Sequence, residues 1–291
     1  MALLSDIKRH YKVVEQTHKI TKAMHLISTS KMRRALGYYE NTRSYHDMVR
    51  VVIKDILLNA EHTTHPFFQP RTGARSAYIV IGADKGLVGS YNSDVIKLAD
   101  KHMENREITC IYPIGHMMGD HYRQLFPNKV DDSFIHMIQD PALYMARHVA
   151  QVLIDGFETG RYDYIYLVYT HMESMTKQTP RLFRLLPVAM KYFDEVQLEK
   201  GHESALAYYP SDEQVLDVMA FEYVLGFVFS TMVQSFASEQ CIRMRAMEAA
   251  TGNAEDMMHR LTLDMNHARQ EAITTEMSEI VGGSEALKGG F

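Results

Sequence analysis

All eight prolines of this chain lie between Pro66 and Pro210, leaving the first 65 residues and the last 81 free of them. Proline inside a helix removes a backbone hydrogen bond and clashes with the preceding turn. Both ends are therefore open to becoming very long helices, and the middle reads as an ordinary folded domain. Glycine is sparse in both ends too: Gly37 in the first, then Gly226 and Gly252 before Gly282. At ~1.5 Å per residue, residues 3–59 would span roughly 85 Å and residues 212–286 roughly 110 Å. Rods of that length are expected to project and to be gripped by something outside the chain.

The periodicity agrees. Val13, Ile20, Met24 and Ile27 fall on one helical face, continued by Tyr38, Tyr45, Met48, Val52 and Ile56. The C-terminal stretch starts with large residues (Phe221, Val224, Leu225, Val228, Met232, Phe236) and thins to Ala246, Ala249, Ala268 and Ala272. Large residues suit a base packed on a domain, whereas small ones let two helix axes approach closely. Leucine heptads are absent, which predicts an irregular coiled coil, antiparallel because the ends meet only through the middle domain. Residues 1–36 carry eight basic side chains (Lys8, Arg9, Lys12, Lys19, Lys22, Lys31, Arg33, Arg34) against Asp6 and Glu15. Residues 239–287 carry four arginines against nine acids, so the two rods have opposite sign within a net charge of −5. Opposite signs allow the rods to lie side by side. The basic end lacks the interleaved aromatics and the motifs of a nucleic-acid reader, and no nucleic-acid partner is expected.

The middle alternates strand and helix: strands over 77–81, 107–112 and 162–169, helices over 92–103, 117–126 and 141–158, the last with Pro141 in its first turn. That order predicts a mostly parallel, Rossmann-like sheet with helices on its faces. Residues 179–189 read as extended and 195–210 as a polar return. The expected division is 1–65 for the N-terminal helix, 66–210 for the α/β domain and 211–291 for the C-terminal helix. The fold class is thus α/β, a long antiparallel two-helix coiled coil plus a central parallel-sheet domain.

No run of about 18 apolar residues is present, since Asp217, Glu222 and Gln234 interrupt the richest stretch, 215–237. The early charges Asp6, Lys8 and Arg9 fit neither a signal nor a transit peptide. Cys110 and Cys241 are the only cysteines and read as free thiols in a reducing compartment.

The run Gly82-Ala-Asp-Lys-Gly-Leu-Val-Gly-Ser90 sits where phosphate loops sit, but fits neither G-x-x-x-x-G-K-[ST] nor G-x-G-x-x-G. It is read as a structural turn whose exposed Asp84 and Lys85 would meet another protein. Fifteen histidines are present, with His62 and His65 three apart, but without the clustering or the H-E-x-x-H spacing of a metal site. Twenty methionines can be filler or an adaptable contact surface. No catalytic, cofactor or metal residues are assigned. The residues alone favour an interaction protein with a two-helix rod over a parallel-sheet enzyme with helical arms.

Lys19-Ile-Thr-Lys-Ala-Met24 and Ser30-Lys-Met-Arg-Arg-Ala35 resemble the opening helix of the gamma subunits of F-type ATP synthases. The far end is similar to the same family through Ser238-Glu-Gln, Arg243-Met, Ala249-Ala-Thr-x-Asn-Ala254, Ala268-Arg-Gln270 and Glu279-Ile-Val-Gly-Gly283. Asp84-Lys-Gly-Leu-Val-Gly89 resembles the family's turn after the first strand, with Val88 where the family usually has cysteine and Ser90 where it has glycine. Met265 stands at the family's usual tyrosine. The resemblance implies a non-catalytic rotor shaft inside a ring of alpha and beta subunits, seated on epsilon and on a membrane ring of c subunits, with delta in the same complex. It would couple proton flow to conformational change in beta at the cytoplasmic side of a bacterial inner membrane, peripherally. It implies no cofactor, and no thiol regulation of the chloroplast kind. It also implies partner contacts at Met24, Lys19, Lys22, Arg33, Arg34, Asp84, Lys85, Arg243, Arg269, Gln270, Thr274 and Glu276.

Overall fold

The computed structural model describes residues 2–59, 65–137, 140–194, 196 and 208–288. Two helices bracket the chain, α1 (Ala2–Asn59, 58 residues) and α5 (Asp212–Lys288, 77 residues). Between them run β1 (Arg75–Ile81), α2 (Tyr91–Met103), β2 (Glu107–Ile114), α3 (His116–Leu125), α4 (Leu143–Glu158), β3 (Tyr164–Met172) and β4 (Gln178–Leu186). The chain divides into two compact units, residues 29–243 and residues 1–28 with 244–291. Each long helix contributes one part to each unit.

In the larger unit, residues 29–243, the strands lie in the order β2-β1-β3-β4. β1 pairs in parallel with β2 and β3, while β4 returns antiparallel on β3. Thus the segment read as merely extended closes the sheet as a fourth strand. Both faces are covered, which is why the strands are apolar almost throughout. Ala77, Ile79, Ile81, Tyr112, Ile165 and Leu167 face a core shared with α4, with Ile53 and Ile56 of α1, and with Leu216, Val224 and Met232 of α5. Tyr78, Val80, Ile111, Tyr166 and Val168 face α2 and α3 through Val95, Ala99, Met118 and Tyr122. The period-2 alternation of a strand assigns each residue to its face.

α4 starts at Leu143, with Ala142 as its extended N-cap, so Pro141 precedes the helix rather than opening it. At the end of β2 the chain turns at Gly115 with φ +98°, and a Cβ there would stand 2.4 Å from the Gly82 carbonyl oxygen. Only glycine satisfies both conditions. α5 contains a window long and apolar enough to cross a bilayer by composition, yet half of it is buried within the chain. Leu216, Tyr223, Val224, Val228 and Met232 in that stretch fill the sheet unit's core, which accounts for its apolar character.

The β3–β4 turn is fastened by Glu173, whose carboxylate accepts from Lys177 (2.6 Å), Thr179 (2.9 Å) and Arg181 (3.3 Å). The Lys177 contact, then that of Thr179, holds its pKa down to about 2 from 4.5. A depressed carboxylate pKa contributes stability that is present above the unfolded value and is lost as pH falls through the folded one. Glu173→Gln is therefore expected to flatten the pH dependence of the urea midpoint between pH 4.5 and about 2. Because the site is exposed, the effect lies in the shape of the profile rather than in a large loss at neutral pH.

The smaller unit is a helix pair. The His18 Nε2 meets Glu255 Oε1 at 2.8 Å, and the Thr251 hydroxyl donates to the Thr21 hydroxyl at 2.8 Å. Position numbers rise on one helix as they fall on the other, so the pair is antiparallel. Val14, Ala254 and Leu261 form its buried centre, with Ile7, Tyr11 and Met258 against them.

The candidate partner surface and the buried collar of α5

Burial along the helix pair follows a heptad. On α1, the shielded positions include Leu4, Ile7, Tyr11, Val14, His18, Thr21, His25 and Ser28, with Glu15 and Met24 half-buried beside them. On α5 they are Met247, Thr251, Ala254, Met258, Leu261, Met265, Ala268 and Ala272. Steps of three and four alternate without a break, the 3.5-residue repeat of a left-handed supercoil. The pairing is regular in spacing and irregular only in residue type, which corrects the irregular seam expected from missing leucines.

The expected seam of α1 is displaced by one residue. Val13, Ile20 and Ile27 point outward, 55%, 60% and 56% exposed, while Val14, Thr21 and Ser28 are buried. Small and polar side chains let the axes approach, and the larger apolar stripe is left uncovered. On α5, Ala268 and Ala272 lie in the seam, but Ala249 is exposed. The opposite charges of the two rods do not make the seam either. Lys8, Arg9, Lys12, Lys19 and Lys22 face outward, and Lys19 pairs with Glu15 of its own helix at 2.6 Å.

Where α5 passes the end of the sheet, residues 231–241 are buried on every side, polar ones included. Buried polar groups must be hydrogen-bonded. The Ser235 Oγ accepts from the Thr170 N–H (3.4 Å), and the Ser238 hydroxyl donates to the Thr170 carbonyl (3.4 Å). The Tyr91 hydroxyl donates to the Ser235 carbonyl at 3.1 Å, and the Cys241 thiol to the Met175 carbonyl at 3.0 Å. One turn on, Arg243 pairs with Glu239, and both side chains are nearly fully buried. Burial raises the Glu239 pKa, and Arg243 opposes that rise without cancelling it. Arg243 also donates to the Lys85 carbonyl at 3.4 Å, tying the 82–90 turn to the helix. Val88 of that turn and Tyr91, the first residue of α2, pack on Ile242.

These contacts revise the reading of the turn. Asp84 is half-buried rather than exposed: its Oδ1 accepts from the His116 N–H at 3.2 Å, and its Oδ2 is a buried oxygen without a hydrogen-bond partner. Lys85 does expose its side chain. Asp84, Lys85 and Arg243 are brought together in the larger unit. Arg33 and Arg34 are exposed in that unit, Arg34 pairing with Asp140 at 2.9 Å. Met24 is half-buried and Lys22 exposed in the helix pair. Arg269, Gln270, Thr274 and Glu276 are exposed near the other end of that unit, with the Thr274 hydroxyl donating to the Gln270 carbonyl at 2.9 Å. The sequence reading assigned no burial to the polar residues of the segment from Gln234 to Gln240, beyond the match of Ser238-Glu-Gln240 to the family. The cluster Gln234, Ser235, Ser238, Glu239, Gln240 on a helix without surface spacing was the available signal.

Both cysteines are free and buried. No group of three or more histidine, cysteine or acidic side chains that could hold a metal occurs among the described residues. His65 faces Asp217 at 3.2 Å, and His62 lies outside the described residues, as does most of the polar return expected over 195–210.

Residues 3–287 match the sequence profile of the family described as ATP synthase. An ATP synthase gamma chain of Acetivibrio thermocellus is 37% identical, over 99% of this chain and 100% of that protein. The chain belongs to the ATP synthase gamma-chain family. A gamma chain of Acetobacterium woodii described as sodium ion specific is 34% identical, over 98% of both chains. In solved structures, a chain of the central stalk and c-ring of the Tetrahymena thermophila mitochondrial ATP synthase is 25% identical with a TM-score of 0.57, over 79% of this chain and 99% of that one. A chain of the Euglena gracilis mitochondrial enzyme shares the fold with a TM-score of 0.66 at 17% identity, over 99% of this chain and 96% of that one. Family and fold together give this chain the gamma-subunit role. The collar and the heptad seam are how this member builds it.

Proposed function

We propose that this chain is the rotating, non-catalytic shaft of an F-type ATP synthase. In this reading the helix pair turns inside a ring of alternating alpha and beta subunits. The larger unit rests on epsilon and on a membrane ring of c subunits, with delta elsewhere in the complex. Rotation driven by ion flow through the c ring forces the beta subunits in turn through binding, synthesis and release of ATP. The chain would then be peripheral on the cytoplasmic side of a bacterial inner membrane. The proposed division takes 1–65 and 211–291 as the shaft helices, whose stretches 29–65 and 211–243 belong to the larger unit, and 66–210 as the α/β part of the seat.

The observation that carries this reading is the outward stripe of Val13, Ile20 and Ile27 on a helix whose inner seam is small and polar. Exposed apolar side chains repeated at helical spacing are the surface of something designed to be enclosed. Ile273, Met277, Ile280 and Val281 continue such a surface on α5. Contacts of this kind are weak and non-directional, so they can break and re-form at each part-turn. Around them, Met24, Lys19, Lys22, Arg33, Arg34, Arg269, Gln270, Thr274 and Glu276 are proposed to touch the ring, with Lys85 meeting a partner at the base. Arg243 acts from inside by holding the 82–90 turn on α5, and Asp84 by fastening that turn to the first residue of α3. The coupling ion is proposed to be the proton. A shaft transmits torque whatever the ion, so the sodium-specific relative differs at the c ring in this reading.

The test is reconstitution. The purified chain should hydrolyse no ATP, and should co-assemble with alpha, beta and epsilon subunits. Met24→Lys adds a positive charge beside Lys19 and Lys22 and should lower ions pumped per ATP hydrolysed while leaving assembly intact. ATP turnover by the chain alone would overturn the shaft reading, and unchanged pumping per ATP in Met24→Lys would remove the contact assigned to Met24.

A further inference from the structure

A cavity of about 860 Å³ opens in the unit of residues 29–243, walled by α1, α4, β3, β4 and α5. Its size is that of a small-molecule site, of order 300–1,000 Å³. One wall is an aromatic stack: the Phe183 ring lies 3.9 Å from Phe227 with an interplanar angle of 18°, and 4.6 Å from Tyr192. Buried Tyr169 and Phe229 line it as well. Nothing in the shaft function uses this cavity.

Its charges are set around the stack. Three guanidiniums line it, Arg50, Arg147 and Arg181, against two carboxylates, Asp47 and Glu222. Arg50 is oriented by a 2.6 Å hydrogen bond to the Tyr192 carbonyl. Arg147 meets Glu222 only at 3.6 Å, and Arg181 meets Glu173 at 3.3 Å. A guanidinium carries five N–H donors, more than these contacts employ. His171 is held by Gln234, and burial lowers its pKa, so it adds no charge at neutral pH. Among the described residues each guanidinium thus has a carboxylate within 4 Å, and Arg147, held only at 3.6 Å, keeps donors free for a ligand beside the flat apolar wall.

We propose that this cavity is a binding site for a flat aromatic monoanion, an aryl carboxylate or sulfonate, stacked on Phe183 and Phe227 with its charge toward Arg147. An occupant would touch α1, α5 and the sheet at once and would hold them together.

The experiment titrates the full chain with two fluorescent probes of similar shape, anionic 8-anilinonaphthalene-1-sulfonate and neutral N-phenyl-1-naphthylamine. One saturable site is expected, with the sulfonate bound about tenfold more tightly, the worth of one charge-assisted hydrogen bond. A rise in Tm with sulfonate concentration is expected too. Arg147→Gln, at a half-exposed position, should bring the two probes to near-equal affinity. Ser230→Trp, which fills the cavity, should abolish saturable binding of both, with circular dichroism confirming the fold. Binding that never saturates, equal affinities in the parent chain, or a preference untouched by Arg147→Gln would each overturn the proposal. If Ser230→Trp does not fold, the parent titration and Arg147→Gln still decide it.

Discussion

Arg243→Met is expected to destabilise the unit of residues 29–243 by about 3–5 kcal/mol, the cost of stranding one partner of a buried ion pair. Glu239 would remain 5% exposed with its counter-charge removed. Against a total stability of order 5–15 kcal/mol, that is a large share. The pH dependence identifies the cause. Burial already raises the Glu239 pKa above 4.5, with Asp84 adding to the rise, and loss of Arg243 raises it further. A raised carboxylate pKa favours the folded state below the unfolded value and penalises it as pH rises through the folded one. The deficit should therefore be largest at neutral pH and shrink as pH falls toward 4.5. Glu239→Gln in the Arg243→Met background should restore most of the loss, because an amide needs no counter-charge. Urea unfolding of the three variants measures all of this, and a deficit independent of pH would mean that Arg243 acts by packing alone.

Ala268→Pro is expected to abolish ATP-driven ion pumping by the assembled complex. Proline there removes a hydrogen bond from α5 and drives its ring into the carbonyl of Asp264, at ~3 kcal/mol or more. Ala268 also sits in the heptad seam, so a kink would part the two helices where they touch. The neighbouring Gln270→Ala is the control. Gln270 is exposed, and alanine is the stronger helix former, so the helix should persist. If Gln270→Ala lowers turnover while circular dichroism stays unchanged, the surface of the shaft is read by its surroundings. Pumping by Ala268→Pro at the parent rate would show that the shaft need not be a continuous rod.

The long helices and the sheet were legible because each rests on a local, strong signal. Proline placement left α1 and α5 uninterrupted, and the runs 77–81, 107–112 and 162–169 have the apolar density of strands covered on both faces. β4 carried a weaker signal: Pro180, Arg181 and Arg184 sit in it because it is an edge strand, where a missing donor or an outward charge is tolerated. The proposed partner contacts rest only on positions matched to a family, with no local signal of their own.

Which face of α1 turns inward was not legible. Val13, Ile20 and Ile27 and their neighbours Val14, Thr21 and Ser28 form two stripes with the same seven-residue repeat, one position apart. Hydrophobicity favours the first stripe, and close approach of two helix axes requires the second. Sequence by itself determined the elements, their order and the length of the rods, since backbone hydrogen bonding and side-chain periodicity are local. Only the tertiary structure decided that small and polar residues make the seam, that large apolar ones are left exposed, and that Glu239 and Arg243 are buried together. Those choices depend on how closely two surfaces distant in sequence can pack, and on which buried charge finds its counterpart there.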